Sequence, residues 1–101
     1  MGPALATRFL TGIGGLMALQ LAEVPTPFFA IDEDALAENL RILGRVQAET
    51  GAKILLAQKA FSNFALYPMI GEVLAGTTAS GLFEARLGHE EMGKETHIFS
   101  P

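Results

Sequence analysis

Strand and helix signals alternate from Val24 onward, and they predict an α/β chain on a parallel sheet, the opening half of a (β/α)8 barrel. Strand-like runs begin near positions 28, 53, 77 and 96 with helical patterns between them, as right-handed βαβ units require. No Gly-x-Gly-x-x-Gly follows a strand: Gly12-Ile13-Gly14-Gly15 precedes the first one, so a doubly wound sheet lacks its fingerprint. A (β/α)8 barrel takes about 250 residues. A chain of 101 residues supplies its opening half, and the sequence is therefore read as truncated.

The elements follow in order. Residues 28–32 read as a first strand, entered through Pro25 and Pro27, which hold their neighbours extended. Asp32 or Asp34 can cap the next helix, whose apolar positions Leu36, Leu40, Leu43 and Val46 share a face and which stops near Gly51. A second strand covers 53–61. Leu66, Ile70, Val73 and Leu74 then make another apolar stripe; Pro68 is tolerable only in a first turn, so this helix starts close to Tyr67 and ends at Gly76. Residues 77–80 form a short third strand. Ser80 can cap a third helix running through Phe83 and Leu87 to Met92, ended by Gly93, and 96–100 begins a fourth strand.

Barrels of this kind place their chemistry at strand carboxyl ends, where Asp32, Lys59, Ser80 and Ser100 fall. Lys59 is the most informative of these. It closes the apolar run Lys53-Ile54-Leu55-Leu56-Ala57-Gln58-Lys59-Ala60-Phe61-Ser62, and a buried strand that ends on a cation calls for a reason. Desolvation favours the free amine, the state that condenses with an aldehyde. The plainer reading is a solvated strand end, with the stem packed and the ammonium in water. Strand parity puts Lys59 with Leu55, Ala57 and Phe61 on one face and Ile54, Leu56 and Gln58 on the other, so an inward lysine would be ringed by apolar groups. Asp32 and Ser80 each read equally as helix caps or as site residues. Glu84, one turn into the third helix, either favours the positive helix end or supports the site.

Composition excludes more than it assigns. With 11 acidic and 7 basic residues the charge is mildly negative, and no Lys/Arg stripe tracks a phosphate backbone, so a nucleic-acid partner is not expected. The absence of cysteine removes disulfides, thiolate metal sites and cysteine nucleophiles. His89 and His97 lack metal-ligand spacing, and no metal is expected; His89 suits a helix C-terminus and His97 a strand.

Residues 1–23 stand apart as an amino-terminal extension. Arg8 followed by the apolar residues 9–22 has the outline of a secretory signal, but 14 residues cannot span a bilayer and the leading region holds one charge. We read it as packed locally or poorly ordered, with Gly12, Gly14 and Gly15 weakening any helix, and expect no membrane partner.

Several segments together resemble the fold-type III pyridoxal-phosphate decarboxylases. They are Thr26-Pro27-Phe28-Phe29-Ala30-Ile31-Asp32-Glu33-Asp34-Ala35-Leu36, Lys-Ala-Phe-Ser at 59–62, Gly-Thr-Thr-Ala-Ser at 76–80 and Gly93-Lys94-Glu95-Thr96-His97-Ile98-Phe99-Ser100. Within that group the sequence looks most like the amino-terminal portion of the carboxynorspermidine (carboxyspermidine) decarboxylases, from about Val24 to Pro101. Thr78 stands where many members of the wider group carry an acidic residue, which favours this subgroup over diaminopimelate or ornithine decarboxylases. Gln58 departs from the leucine more common there, and an outward amide must find a partner between sheet and helix.

The resemblance implies a TIM-like barrel of the alanine racemase/ornithine decarboxylase type, represented by residues 24–101, with the rest of the barrel and a β domain lying beyond. It implies pyridoxal 5'-phosphate as cofactor, held by Lys59 with Ser80, Glu84 and Asp32 nearby. It further implies a carboxylated polyamine as substrate, decarboxylation in spermidine biosynthesis, a homodimer and a cytoplasmic location. Other amino-acid decarboxylases, racemases and the small cofactor-carrying homeostasis proteins of fold type III remain open. So does a non-catalytic fragment, inactive alone, whose unpaired sheet edges associate.

Overall fold

The computed structural model describes residues 24–101; the readings made for residues 1–22 fall outside them. Contacts divide the chain into two units, Met1–Asn39 and Leu40–Pro101.

In the first unit, residues 28–31 form no strand. An apolar run becomes a strand only when a neighbour bonds to it, and no described residue supplies that ladder. The helix after it forms as expected. Helix α1 spans Glu33–Thr50. The Oδ1 of Asp32 accepts the Ala35 N–H at 3.0 Å, so Asp32 is the cap and Asp34 lies inside the first turn. At the other end Gly51, at φ 74°, donates its N–H to the Gln47 carbonyl at 2.9 Å and stops the helix.

The second unit carries a three-stranded parallel sheet, β1 (Leu55–Ala57), β2 (Gly76–Ala79) and β3 (Glu95–Ile98), in that order. The register pairs Leu56 with Thr77 and Thr77 with Thr96. Three parallel strands therefore stand among the described residues instead of four. Between β1 and β2 a 3-10 turn, Phe64–Leu66, leads into α2, Tyr67–Gly71, with Pro68 in its first turn. This helix is shorter than its apolar stripe predicts, because the chain leaves it after Gly71 and Leu74 closes the turn by donating to the Ile70 carbonyl at 2.9 Å. The Lys94 ammonium finishes that end, donating to the carbonyls of Gly71 and Leu74 at 2.7 Å each. Between β2 and β3 lies α3, Leu82–Glu91, followed by Gly93 at φ 74°.

Leu40, Leu66, Tyr67, Ile70, Leu74 and Ala79 form the apolar core. Burying each large side chain in it stabilises the fold by about 1.5–3 kcal/mol. Gln47 stitches α1 to this core: its Oε1 accepts the Ile54 N–H at 2.9 Å and its Nε2 donates to the Val73 carbonyl at 2.8 Å. Both ends of one amide thereby set where β1 begins.

Candidate active site at the strand carboxyl ends

Strand β1 ends at Ala57, four residues short of the predicted end. The Ala57 carbonyl accepts the N–H groups of Ala60 (3.0 Å) and Phe61 (3.2 Å), a turn that takes the chain out of the ladder. Lys59 therefore lies in the turn beyond β1 and is exposed, not an inward strand residue ringed by apolar groups. Its amine has no hydrogen-bond or ion-pair partner among the described residues. The plainer expectation, a lysine open to water, describes its surroundings here.

Gln58, one residue earlier, points to the helix side as parity predicts, and is 1% exposed. Its amide is fully engaged. Nε2 donates to the Thr78 carbonyl at 3.0 Å and the Glu84 carbonyl at 2.9 Å, while Oε1 accepts the Tyr67 hydroxyl at 2.9 Å. The partner that an outward amide needs is thus found three times over, in β2, α3 and α2. Burial pushes the Tyr67 phenol up from its ordinary value, and the Glu84 carboxylate nearby adds to the shift.

Thr77 and Gly88 complete this buried polar layer. A Cβ on Gly88 would run into the Thr77 Oγ1 and stand 3.1 Å from the Gln58 Nε2, so α3 lies against β2 at a distance only glycine allows. Thr77 in turn faces the Thr96 hydroxyl at 3.4 Å. Neither Tyr67, Thr77 nor Gly88 stood out in the sequence as part of the site. The available signal was Gly88, a glycine inside a helical pattern, which marks close packing.

Ser80 follows β2 directly and is exposed, at the same end of the sheet as Lys59. It does not cap α3: the cap position belongs to extended Gly81, which makes no side-chain cap bond. Instead the Glu84 Oε1 reaches back and accepts the Ser80 N–H at 2.7 Å. Helix α3 is therefore closed by its own glutamate, a favourable charge at the positive helix end, and the Ser80 amide is occupied while its hydroxyl faces solvent. Ser100 is exposed, two residues past β3. Asp32 belongs to the first unit, where it caps α1. The structure thus gathers Lys59, Ser80 and Glu84 around the carboxyl ends of β1 and β2 and gives Asp32 a local role.

The opposite ends of the strands hold a separate charged group. Lys53, before β1, contacts the Glu95 Oε2 at 2.9 Å, and the His97 Nε2 lies 3.7 Å from the Glu95 Oε1. The Lys53 hydrogen bond holds the Glu95 carboxyl below its ordinary value against an opposing desolvation; the Lys53 charge and His97 reinforce the shift. His89 is exposed in the last turn of α3, as a helix-end histidine should be. Among the described residues, no group of three or more His, Cys, Asp or Glu is placed to hold a metal ion, and no helix is long and apolar enough to cross a membrane.

No protein-family model matches the chain. Curated relatives do. It is 40% identical over 77 residues to a carboxynorspermidine/carboxyspermidine decarboxylase of Herminiimonas arsenicoxydans, covering 76% of this chain and 21% of the relative. It is 42% identical over 82 residues to a carboxyaminopropylagmatine decarboxylase of Synechocystis, covering 81% of this chain and 21% of that protein. The crystal structure of the Campylobacter jejuni carboxynorspermidine decarboxylase complexed with norspermidine matches with a TM-score of 0.75 at 42% identity, over 77% of this chain and 21% of that one. The chain spans about one fifth of the length of each. Through that stretch, on sequence and on fold together, this chain is similar to the carboxynorspermidine/carboxyspermidine decarboxylases.

Proposed function

We propose that this chain is part of a pyridoxal-phosphate-dependent decarboxylase of polyamine biosynthesis, acting on carboxynorspermidine or carboxyspermidine. The observation that carries the reading is the 40–42% identity over most of the chain to enzymes named for that reaction. Residues 24–101 would then form part of a (β/α)8 barrel that binds the cofactor, in a homodimer and in the cytoplasm, with residues 1–23 as an extension.

The residues present fit the cofactor. Lys59 offers a primary amine open to a ligand and with no competing partner among the described residues, and condensation with an aldehyde would use its unprotonated form, which a cofactor excluding water would favour. When bound, pyridoxal phosphate supplies an electron sink for the pair released as carbon dioxide leaves. In this assignment Lys59 would be the residue that holds the cofactor. The exposed Ser80 hydroxyl offers a polar contact beside it. Glu84 fixes the Ser80 backbone through its 2.7 Å bond. Asp32 is assigned a cofactor contact by resemblance, in addition to its capping bond.

The test is carbon dioxide release by the complete protein with and without added cofactor, using carboxynorspermidine, carboxyspermidine, meso-diaminopimelate, ornithine and arginine side by side. The first two should be turned over far faster. Preference for one of the three amino acids overturns the assignment in favour of another fold-type III enzyme. The Synechocystis relative favours one further substrate. Carboxyaminopropylagmatine ends in a guanidinium in place of an amine, and belongs in the same assay.

A further inference from the structure

Lys59 has no partner of its own among the described residues, yet a lysine that must meet one carbon atom repeatedly needs a fixed origin. Its immediate neighbour, Gln58, is held by three hydrogen bonds. Both Nε2 hydrogens of Gln58 are used, one on the Thr78 carbonyl at the end of β2 and one on the Glu84 carbonyl in α3, and its Oε1 is held by Tyr67 in α2. On the other side of Lys59, the N–H groups of Ala60 and Phe61 close on the Ala57 carbonyl. The lysine is thus carried on a short arch, fixed by an amide before it and by a turn around it.

A buried amide is a costly way to fill space. An apolar side chain of similar size would do so without desolvating polar atoms, and an amide justifies itself by specifying one arrangement when every polar atom is satisfied. That condition holds here, since no buried side-chain nitrogen or oxygen among the described residues lacks a hydrogen-bond partner.

We propose that Gln58 is a positioning residue for Lys59: its three-way hydrogen bonding locks the β1 exit against β2, α2 and α3 and so fixes where the reactive amine is presented. The inference rests on the assignment of Lys59 as the cofactor lysine. Tyr67 contributes only through Gln58, on the acceptor side. Leucine, the more common residue here in the resembled family, would in this chain deprive the Tyr67 hydroxyl and the Thr78 and Glu84 carbonyls of their Gln58 partner, and so release the arch.

The experiment uses the complete protein and its Gln58→Leu and Tyr67→Phe variants. Pyridoxal phosphate is added, the adduct is reduced with borohydride at a series of times, and the labelled peptide is mapped; kcat, KM and the thermal midpoint are measured in parallel. Q58L should slow labelling of Lys59 and lower kcat by about tenfold or more, because small misplacements of a reacting group carry large rate penalties. Its KM should stay within about twofold, and the loss should persist well below the thermal midpoint. Y67F, which keeps both Nε2 bonds, should slow labelling by less than about threefold, since the donors on the sheet and on α3 remain.

Unchanged labelling and kcat in Q58L, whatever happens to its thermal midpoint, overturns the positioning role and leaves the lysine assignment standing. Label on a residue other than Lys59 in the unsubstituted protein overturns both. A measurement without substitution covers the case in which Q58L does not fold. The Lys59 backbone amide should show an order parameter near about 0.85, as rigid backbone does, and a value below about 0.6 overturns the inference.

Discussion

The hydroxyl of Tyr67 donates to the Oε1 of Gln58 at 2.9 Å, joining the first residue of α2 to the residue that leaves β1. Tyr67 is 0% exposed and Gln58 1%, so neither group has water as an alternative partner. Tyr67→Phe therefore strands a buried acceptor and should destabilise the fold by about 1–3 kcal/mol, read by urea unfolding. The same pair predicts alkaline sensitivity. The fold raises the Tyr67 pKa, so its contribution is complete below the ordinary value of 10.0 and fades as pH climbs through the higher folded value. Y67F should flatten the stability profile above pH 10.0; an unchanged slope there contradicts the assignment.

Gly88→Ala should be among the most disruptive single-methyl changes. The new Cβ would meet the Thr77 Oγ1, a side chain buried and level with Thr96, and press on the Gln58 Nε2 as well. Overpacking of this kind costs about 1–3 kcal/mol, set against a gain in helix propensity of about 1 kcal/mol, so the net change should be destabilising. Chemical unfolding of G88A that matches the parent protein would show that α3 stands off β2.

Lys59→Ala should separate chemistry from folding. The side chain is exposed and makes no hydrogen bond or ion pair among the described residues, so stability should change little, within about 0.5 kcal/mol. Decarboxylation and borohydride-stable labelling should disappear. Lys53→Ala removes a surface ion pair at the opposite end of the sheet and should leave turnover intact. Label found on Lys53 or Lys94 would defeat the assignment of Lys59.

Glu95 should respond to acid and to salt. Lys53, chiefly by its hydrogen bond, holds the carboxyl below its ordinary value of 4.5, so the pair contributes above pH 4.5 and is lost as pH falls through the lower folded value. Carboxyl carbon shifts followed by NMR should titrate Glu95 below its ordinary value of 4.5 in dilute buffer. The difference should shrink in 1 M salt, where the screening length is about 3 Å. Lys53→Ala should remove most of it.

A polypeptide of these 101 residues alone should associate and show no decarboxylase activity. Phe83 is 91% exposed and Phe99 76%, with Leu82 and Ile98 also exposed. Apolar surface of this kind beside an edge strand pairs with another chain or aggregates. Sedimentation as a stable monomer with dispersed spectra, or carbon dioxide release, would contradict the expectation.

Much of the architecture was legible because its signals are local. Asp32 before α1 and Gly51 and Gly93 after α1 and α3 mark helix ends through backbone chemistry that needs no distant partner, and each marks one in the structure. The buried stripe Leu66, Ile70 and Leu74 and the alternation of strands with helices follow from periodicity in the same way, whereas Val46 and Phe83, placed on apolar stripes, are exposed. The resemblance to the decarboxylases was read from short segments that include residues 59–62 and 76–80, and the relatives match over 77 residues or more.

What sequence could not settle depended on partners remote in the chain. Residues 28–31 look like a strand, but no described neighbour supplies a ladder. The apolar run around Leu55 looks like one strand through Phe61, yet the Ala57 carbonyl turns the chain two residues before Lys59. Ser80 has the chemistry of a cap, but Glu84 reaches its amide first. Gln58 was legible as an amide in need of a partner; that the partners are Tyr67, Thr78 and Glu84 was decided only when two helices packed on one sheet. Local chemistry thus determined where elements begin and end and which lysine to examine, while tertiary packing decided how that lysine is held, because hydrogen bonds in a dry interior go to whichever groups the fold brings within reach.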